Sequence, residues 1–263
     1  MKNFKMLHIP KLRRIPRIIK MHIIAFMWSR RLFMYLLAKN FFRVLASFNK
    51  NLKKLYKIFL QKYIETGNNI LKRKKFSKFV FWMRDRDFYS LIEVFIDKDY
   101  ALVNEFLPMR GNVILDLGAG IGDYTLLSSL RVGKRGKVVS IEADTKTYEI
   151  LLMNIKENEL KNVIALDLFV SSEIGQNLDS IVKKIKARRV DLIKMDIEGE
   201  EYNAMRGAIE TITRFKPKII LEIHSKKLRD KVLNFLKKYS YSLVLEKEKR
   251  DHGFLHYFKC MQR

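Results

Sequence analysis

The fold of this chain follows from residues 113–124, which read VILDLGAGIGDY. An apolar run, Val113–Leu117, leads into three glycines at alternate positions, a pattern typical of a buried strand that turns sharply into a helix. Glycine is favoured at such a turn because the backbone reverses direction and a ligand can lie directly against it. Glu142 ends the next predicted strand about 20 residues later, where a doubly wound sheet places a carboxylate against ribose hydroxyls.

The rest of the chain after this loop alternates between short apolar runs and helical patterns, which indicates a parallel, doubly wound α/β sheet. Two strands then close the chain without a helix between them. The predicted strands are Val113–Leu117, Val138–Ile141, Val163–Leu168, Val190–Met195, Ile219–Ile223, Ser242–Glu246 and Leu255–Lys259. The predicted helices are Tyr124–Arg131, Thr145–Asn158, Leu178–Lys186, Glu201–Arg214 and Leu228–Lys238.

The spacing of the glycines separates two classes of cofactor. The dinucleotide fingerprint is G-x-G-x-x-G, which brings a pyrophosphate to a helix N-terminus. Here the spacing is G-x-G-x-G, and Asp116 precedes it. S-adenosylmethionine carries an ammonium and a sulfonium, which favour a nearby carboxylate, and the loop resembles the first motif of methyltransferases. The competing interpretation is a strand–turn–helix that uses glycine only for turning. The predicted cofactor-binding residues are Asp116, Gly118, Ala119, Gly120, Gly122, Glu142, Ala143 and Asp167.

A second unusual stretch, residues 191–201, reads DLIKMDIEGEE. It places Asp196 at the carboxyl end of the fourth predicted strand, with Glu198 in the following loop. Glu222 and His224 end the fifth strand. Ligands of open α/β sheets bind beyond the carboxyl ends of the strands, so we expect these four polar groups to converge and to include the catalytic residues.

The roles within this group are left open by the sequence. His224 is the first candidate for a general base, because an unperturbed imidazole titrates near neutrality. Asp196 is the second, and it could instead hold a divalent metal with Glu198 and Glu222, although the sequence assigns no metal. Each of these residues could instead have a purely structural role. His224 could be a hydrogen-bonded histidine at a strand end, and the acids after Asp196 could be favoured by the positive N-terminus of the next helix. Lys194 could be a strand residue whose ammonium pairs with a neighbouring acid.

Residues 193–201, IKMDIEGEE, resemble the I-K-x-D-x-E-G-x-E hallmark of FkbM-type methyltransferases. The glycine loop also fits the first motif of that family, and the similarity covers roughly residues 84–225. Further positions that match are Asp87, Tyr100, Asn154, Asn158, Gly207, Pro217 and Glu222–His224. One departure is a short segment between the third strand and the next helix, at 171–177, which indicates a more open acceptor site or one completed by the basic N-terminal region.

The resemblance implies a Rossmann-like class I methyltransferase fold, with a mostly parallel seven-stranded sheet whose last strand inserts antiparallel. It also implies S-adenosylmethionine as cofactor and O-methylation of a sugar, a glycan or another small hydroxyl acceptor. The chemistry is an in-line displacement at the sulfonium methyl, so positioning of the acceptor oxygen supplies much of the acceleration.

The charge of the chain is concentrated at its beginning. The net charge is +25, and residues 1–80 hold 21 Lys and Arg against one acid, Glu65. Apolar residues recur there with helical spacing, which predicts a basic α-helical N-terminal region over 1–80 and a methyltransferase domain over 81–263. The lone cysteine, Cys260, excludes an internal disulfide and a cysteine-rich metal site.

The basic region could bind an anionic membrane surface, bind nucleic acid or cap the catalytic domain. Its apolar run at Met21–Trp28 is followed by Arg30 and Arg31, so we expect no membrane span. Its aromatic content favours a membrane-surface helix over an RNA-binding tail. Of the three roles, the helical cap on the catalytic domain is the favoured one. We expect a cytoplasmic enzyme, with a peripheral position on the inner membrane face as an open alternative. The competing functions are nucleic-acid methylation through the arm and a non-catalytic, cofactor-binding interaction protein.

Overall fold

The computed structural model describes residues 70–249 and 253–261. The predicted basic helices of the N-terminal region and most of the predicted connection between the two closing strands lie outside these residues. The described chain belongs to two compact units, one that ends at Ile92 and one that begins at Glu93. The division into a helical region and a methyltransferase domain at residue 80 stays a prediction.

The first unit contains an antiparallel hairpin of β1 (Lys72–Phe76) and β2 (Phe79–Met83). The basic cluster at 72–75 forms most of β1. The chain turns back at Ser77, so these residues pair with β2. The Lys72 ammonium lies 2.8 Å from a carboxylate oxygen of buried Asp85, which ties the hairpin to the turn that follows it.

The second unit is built on a seven-stranded sheet with the order β5-β4-β3-β6-β7-β9-β8. The strands β3 to β7 are parallel, and β9 lies antiparallel between β7 and β8. This confirms the predicted sheet and its inserted antiparallel strand. The strands are β3 (Val113–Leu117), β4 (Lys137–Glu142), β5 (Val163–Asp167), β6 (Leu192–Met195), β7 (Lys218–Ile223), β8 (Tyr241–Glu248) and β9 (Phe254–Cys260).

Helices cover both faces of this sheet and bury an apolar core on each side. None of the helices within the described ranges is long and apolar enough to cross a membrane. A four-residue helix, α1 (Phe88–Leu91), comes before the strands of the sheet in sequence. Short helical turns connect α1 to the first of those strands, β3. The other helices are α2 (Asp123–Val132), α3 (Thr145–Glu157), α4 (Leu178–Lys184), α5 (Glu201–Arg206), α6 (Ile209–Phe215) and α7 (Lys226–Lys238).

The prediction of one helix over 201–214 is wrong, because the chain breaks at Gly207 into α5 and α6. A Cβ at Gly207 would lie 2.7 Å from the carbonyl oxygen of Ser171, so the backbone packs too closely there for a side chain. The Asp179 carboxylate accepts hydrogen bonds from the backbone N–H groups of Glu210 and Thr211 at 2.9 and 2.7 Å. It thereby starts α6 in a new direction.

Candidate active site

The glycine loop joins β3 to α2 at the carboxyl edge of the sheet. The N–H groups of Gly118 and Ala119 both donate to the carbonyl oxygen of Ile141, at 2.9 and 3.0 Å. A Cβ at Gly118 would lie 1.7 Å from the carbonyl oxygen of Asp196, so only glycine allows β3 to end against the end of β6. A Cβ at Gly120 would meet nothing within 4 Å. The loop therefore has open space beside its bare backbone.

Glu142 ends β4 beside this loop, as predicted for a residue that contacts ribose. One of its carboxylate oxygens accepts from the N–H of Gly120 at 2.8 Å, and the other accepts from the N–H of Asp144 at 2.9 Å. These bonds fix the half-buried carboxylate and leave it lone pairs for ligand hydroxyls. Ala143 and Asp167 are exposed at the same edge, where Asp167 pairs with Glu142 across β4 and β5.

Asp116 is fully buried inside the sheet rather than exposed in the loop. Its carboxylate lies 3.2 Å from the Lys194 ammonium and accepts a hydrogen bond from the Thr125 hydroxyl at 2.6 Å. This confirms the prediction that Lys194 pairs with a neighbouring acid. Lys194 also donates to the carbonyl oxygen of Gly118 at 2.7 Å, so Asp116 supports the glycine loop through it. A direct contact between Asp116 and the cofactor stays a prediction.

Three of the four predicted catalytic residues lie together at the ends of β6 and β7. The His224 Nε2 atom is 3.3 Å from an oxygen of Asp196 and 3.9 Å from an oxygen of Glu198. Each of the three residues offers one possible metal-ligand atom, and these atoms all lie within 4.8 Å of one another, so the group could also hold a metal ion. Glu198 has a φ of 52° and is exposed, which directs its backbone into the loop before α5.

Tyr100 connects this group to Glu222, the fourth predicted residue. Its buried hydroxyl lies 3.2 Å from a carboxylate oxygen of Glu222 and 3.4 Å from one of Asp196. The Lys194 ammonium lies 5.5 Å from the centre of the Tyr100 ring. The sequence indicated Tyr100 only as a match to the FkbM pattern, because it comes from a helical turn about a hundred residues before its partners.

Glu222 is buried and is neutralised by Lys249, which follows β8. The ammonium of Lys249 lies 2.6 Å from both oxygens of Glu222 and 2.9 Å from an oxygen of Glu93. Burial, followed by the charge of Asp196, raises the pKa of Glu222 to about 7, while Lys249 opposes that rise. Sequence reasoning missed Lys249 and Glu93, since neither lies in a motif. Glu222 is thus a supported carboxylate behind the cluster.

The pair formed by Asp196 and His224 holds a proton at neutral pH. The hydrogen bond that the His224 ring donates to the Asp196 carboxylate raises the pKa of His224 to about 9, against the opposing effect of burial. Burial acts to raise the pKa of Asp196, but the hydrogen bond from His224 and the charge of Lys194 outweigh it and hold that pKa below its usual range. The resting state is therefore an imidazolium beside a carboxylate.

Comparison with known proteins connects this geometry with one enzyme class. Residues 172–243 match the methyltransferase FkbM domain, and residues 103–201 match the TRM5/TYW2 methyltransferase domain. A probable cobalt-precorrin-6B C(15)-methyltransferase (decarboxylating) of Sulfurisphaera tokodaii is 31% identical over 137 residues. That alignment covers 49% of this chain and 69% of the relative.

Solved structures of similar fold include a methyltransferase FkbM from Methylobacillus flagellatus KT. It is 17% identical, the match covers 66% of this chain and 54% of that chain, and the TM-score is 0.49. A SAM-dependent methyltransferase from Aquifex aeolicus is 19% identical over 65% of this chain and 93% of that chain, with a TM-score of 0.46. From its own motifs and these matches, the chain belongs to the S-adenosylmethionine-dependent methyltransferases, and its residues 172–243 match the methyltransferase FkbM domain.

Proposed function

We propose that this chain transfers a methyl group from S-adenosylmethionine to a hydroxyl group of a sugar, a glycan or another small acceptor. The observation that carries this proposal is the ion pair of Asp196 and His224 at the carboxyl ends of β6 and β7. The backbone of Asp196 packs directly against Gly118 of the glycine loop. A group that can accept a proton thus lies beside the loop that we assign to the cofactor.

The residues of the loop fit S-adenosylmethionine. Glu142 presents a fixed carboxylate for ribose hydroxyls, and the space beside Gly120 allows a ligand to approach the backbone. Asp196 and Glu198 add negative charge near the same edge, which favours a cation. When bound, S-adenosylmethionine supplies an activated methyl group on its sulfonium.

The chain's own residues would bind the acceptor and remove its proton. We assign the acceptance of the hydroxyl proton to the Nε2 atom of His224, once that atom is itself deprotonated. Asp196 fixes the ring and stabilises the imidazolium that forms. Tyr100 holds the other oxygen of Asp196, and Lys249 neutralises Glu222 behind it. With a pKa of about 9, only about one His224 in a hundred is in the basic form at pH 7. Transfer should therefore accelerate as the pH rises toward 9.

Nucleic-acid methylation is the second candidate, and one specific observation favours it. Residues 103–201, which include the glycine loop, match the TRM5/TYW2 methyltransferase domain. The basic residues of the N-terminal region would attract phosphates of a polynucleotide, or of a membrane surface, with equal ease. The relative from Sulfurisphaera tokodaii is named for methylation at C(15) of cobalt-precorrin-6B, so a small acceptor that is not a sugar also belongs to the proposal.

The test is transfer of labelled methyl from S-adenosylmethionine into cell extract that is separated into glycan and glycolipid, small-molecule and nucleic-acid fractions. Wild type is compared with His224→Gln and with Glu149→Gln, an exposed carboxylate on α3, as control. Label in the glycan or small-molecule fraction that is lost only in the His224 variant would support the proposal. Label confined to nucleic acid would refute it and support the second candidate.

A further inference from the structure

A cleft of about 400 Å³ opens beside His224 on the side of α7. Its lining includes Glu198 and Gly199 from the loop before α5, and Lys227, Leu228 and Lys231 from the first turns of α7. It therefore begins at the candidate proton acceptor and leads away along a helix. No residue predicted to bind cofactor lines it, so the cleft is available for the acceptor.

The charge of this cleft is positive. Lys227 and Lys231 are four residues apart and so project from the same face of α7. Among the residues that the structure describes, neither lysine forms an ion pair with a carboxylate. Arg229, on another face, is paired with both Asp230 and Glu246. The Lys231 ammonium lies 5.7 Å from the centre of the Tyr202 ring, which restricts where the lysine can reach.

The other charges around the cleft do not cancel the lysines. Glu198 is the acidic residue among those that line it, and its carboxylate already faces the His224 imidazole at 3.9 Å. The cleft also contains the N-terminal end of α7, where the helix dipole is positive, although Ser225 caps the N–H of Leu228. Two lysines and a helix end therefore remain for an anionic ligand.

We propose that the acceptor carries a phosphate group, which Lys227 and Lys231 bind while a hydroxyl of the same molecule lies against His224. The proposal rests on the methyl transfer proposed above and adds the substrate class, a phosphorylated small molecule such as a sugar phosphate. A cleft of this volume is in the range that holds small molecules. The pairing of two cations at one end with a proton acceptor at the other would fix which hydroxyl is methylated.

The size and position of the cleft favour a small molecule over a polynucleotide. A second cleft, of about 590 Å³, is lined by Arg110, Lys134 and Arg135. It lies next to Gly111 and Gly133, before β3 and β4 begin, and hence at the opposite edge of the sheet. Basic residues are thus present at both edges, but within the part of the chain that the structure describes, the lysines that share a cleft with His224 are those of α7. Lys134 is therefore a matched control for the loss of one positive charge.

The experiment is a titration of the full chain with inorganic phosphate, glucose 1-phosphate and glucose, followed by the proton NMR signal of the His224 ring. The signal is assigned by its loss in His224→Gln, and it reports this cleft even if phosphate binds elsewhere on the basic chain. We expect phosphate and glucose 1-phosphate to move the signal and glucose to leave it unchanged. Each of Lys227→Ala and Lys231→Ala should raise the phosphate concentration at the midpoint of the titration about tenfold. Lys134→Ala should leave that concentration unchanged.

The proposal would be overturned if the α7 variants had the same midpoint concentration as wild type. It would also be overturned if Lys134→Ala raised that concentration as much as the α7 variants do. An RNA oligonucleotide that moves the signal at lower concentration than glucose 1-phosphate would overturn it in favour of a polymer. Cofactor binding and methyl transfer are measured in parallel, which keeps the two hypotheses separate. Methyl transfer that is unaffected in both α7 variants refutes only the phosphate site. Phosphate binding without any methyl transfer refutes the proposed reaction and leaves the site in place.

Discussion

The raised pKa of His224 should depend on the single carboxylate of Asp196. Asp196→Asn removes the charge and keeps the size of the side chain. The dominant cause of the rise is the hydrogen bond that His224 donates to Asp196, while burial opposes the rise and the charges of Glu198 and Glu222 add smaller effects. Without the Asp196 charge, burial lowers the pKa of His224 and the remaining acids raise it, so the two effects oppose each other. The pKa should then fall from about 9 to near its ordinary value of 6.5.

This change has a large effect on the protonation of His224 at pH 7. The basic form should rise from about one molecule in a hundred to about three in four. Stability should respond in the same window. A pKa that is raised on folding stabilises the protein fully below pH 6.5, and this contribution is lost as the pH rises through about 9. Wild type should lose stability over that range, and Asp196→Asn should lose little.

The assay is the NMR titration of the His224 ring in wild type, Asp196→Asn and the control Glu198→Gln. Glu198 is 3.9 Å away and its side chain is 84% exposed, so its loss should move the midpoint only slightly. A wild-type midpoint near 6.5 would refute the reasoning. So would an unchanged midpoint in Asp196→Asn, or an equal fall in the control.

Three further predictions concern stability and the glycine loop. Lys249→Met should lower the free energy of unfolding by about 1–3 kcal/mol at pH 8 in urea denaturation, because Glu222 loses its buried cation and must take up a proton to stay buried; failure of Glu222→Gln to restore stability in the double variant would contradict this. Gly118→Ala should strongly lower the urea midpoint because its Cβ would meet the backbone of Asp196 at 1.7 Å, whereas Gly120→Ala should lower the free energy of unfolding by only about 1–2 kcal/mol for its left-handed φ and should weaken cofactor binding in calorimetry, because its Cβ enters the space assigned to the ligand; equal urea midpoints in the two variants would count against it. Asp179→Ala should cost about 1–2 kcal/mol by uncapping α6, and an unchanged urea midpoint would refute that role.

The local patterns of the sequence predicted the sheet because each strand is a short apolar run with its own boundary residues. Asp144 precedes the predicted helix at Thr145–Asn158 and is of a residue type favoured at a helix N-cap, and its side chain accepts from the N–H of Thr147 at 3.0 Å. The break between α5 and α6 was missed because it depends on the packing of Gly207 against a distant loop. The helical spacing of apolar residues continues across this break, so the sequence pattern does not reveal where one helix ends and the next begins.

The candidate site was predicted in its residue types and less well in its contacts. Strand ends bring Asp196 and His224 together, as the topology required. The roles of Asp116 and Glu222 depend on Lys194 and Lys249, which approach from another strand and from the chain after β8. Partners of buried charges are chosen by the tertiary fold, so the sequence alone could not assign them.

The central claim is that the loop from Gly118 to Gly122, together with Glu142, binds S-adenosylmethionine. The most direct measurement is calorimetric titration of the full chain with S-adenosylmethionine, beside Glu142→Gln and the exposed control Glu149→Gln. We expect one cofactor per chain in wild type and in the control, and affinity weakened about tenfold or more in Glu142→Gln, because a charged hydrogen-bond acceptor is lost. An absence of binding in wild type, or equal affinity in Glu142→Gln, would contradict the claim.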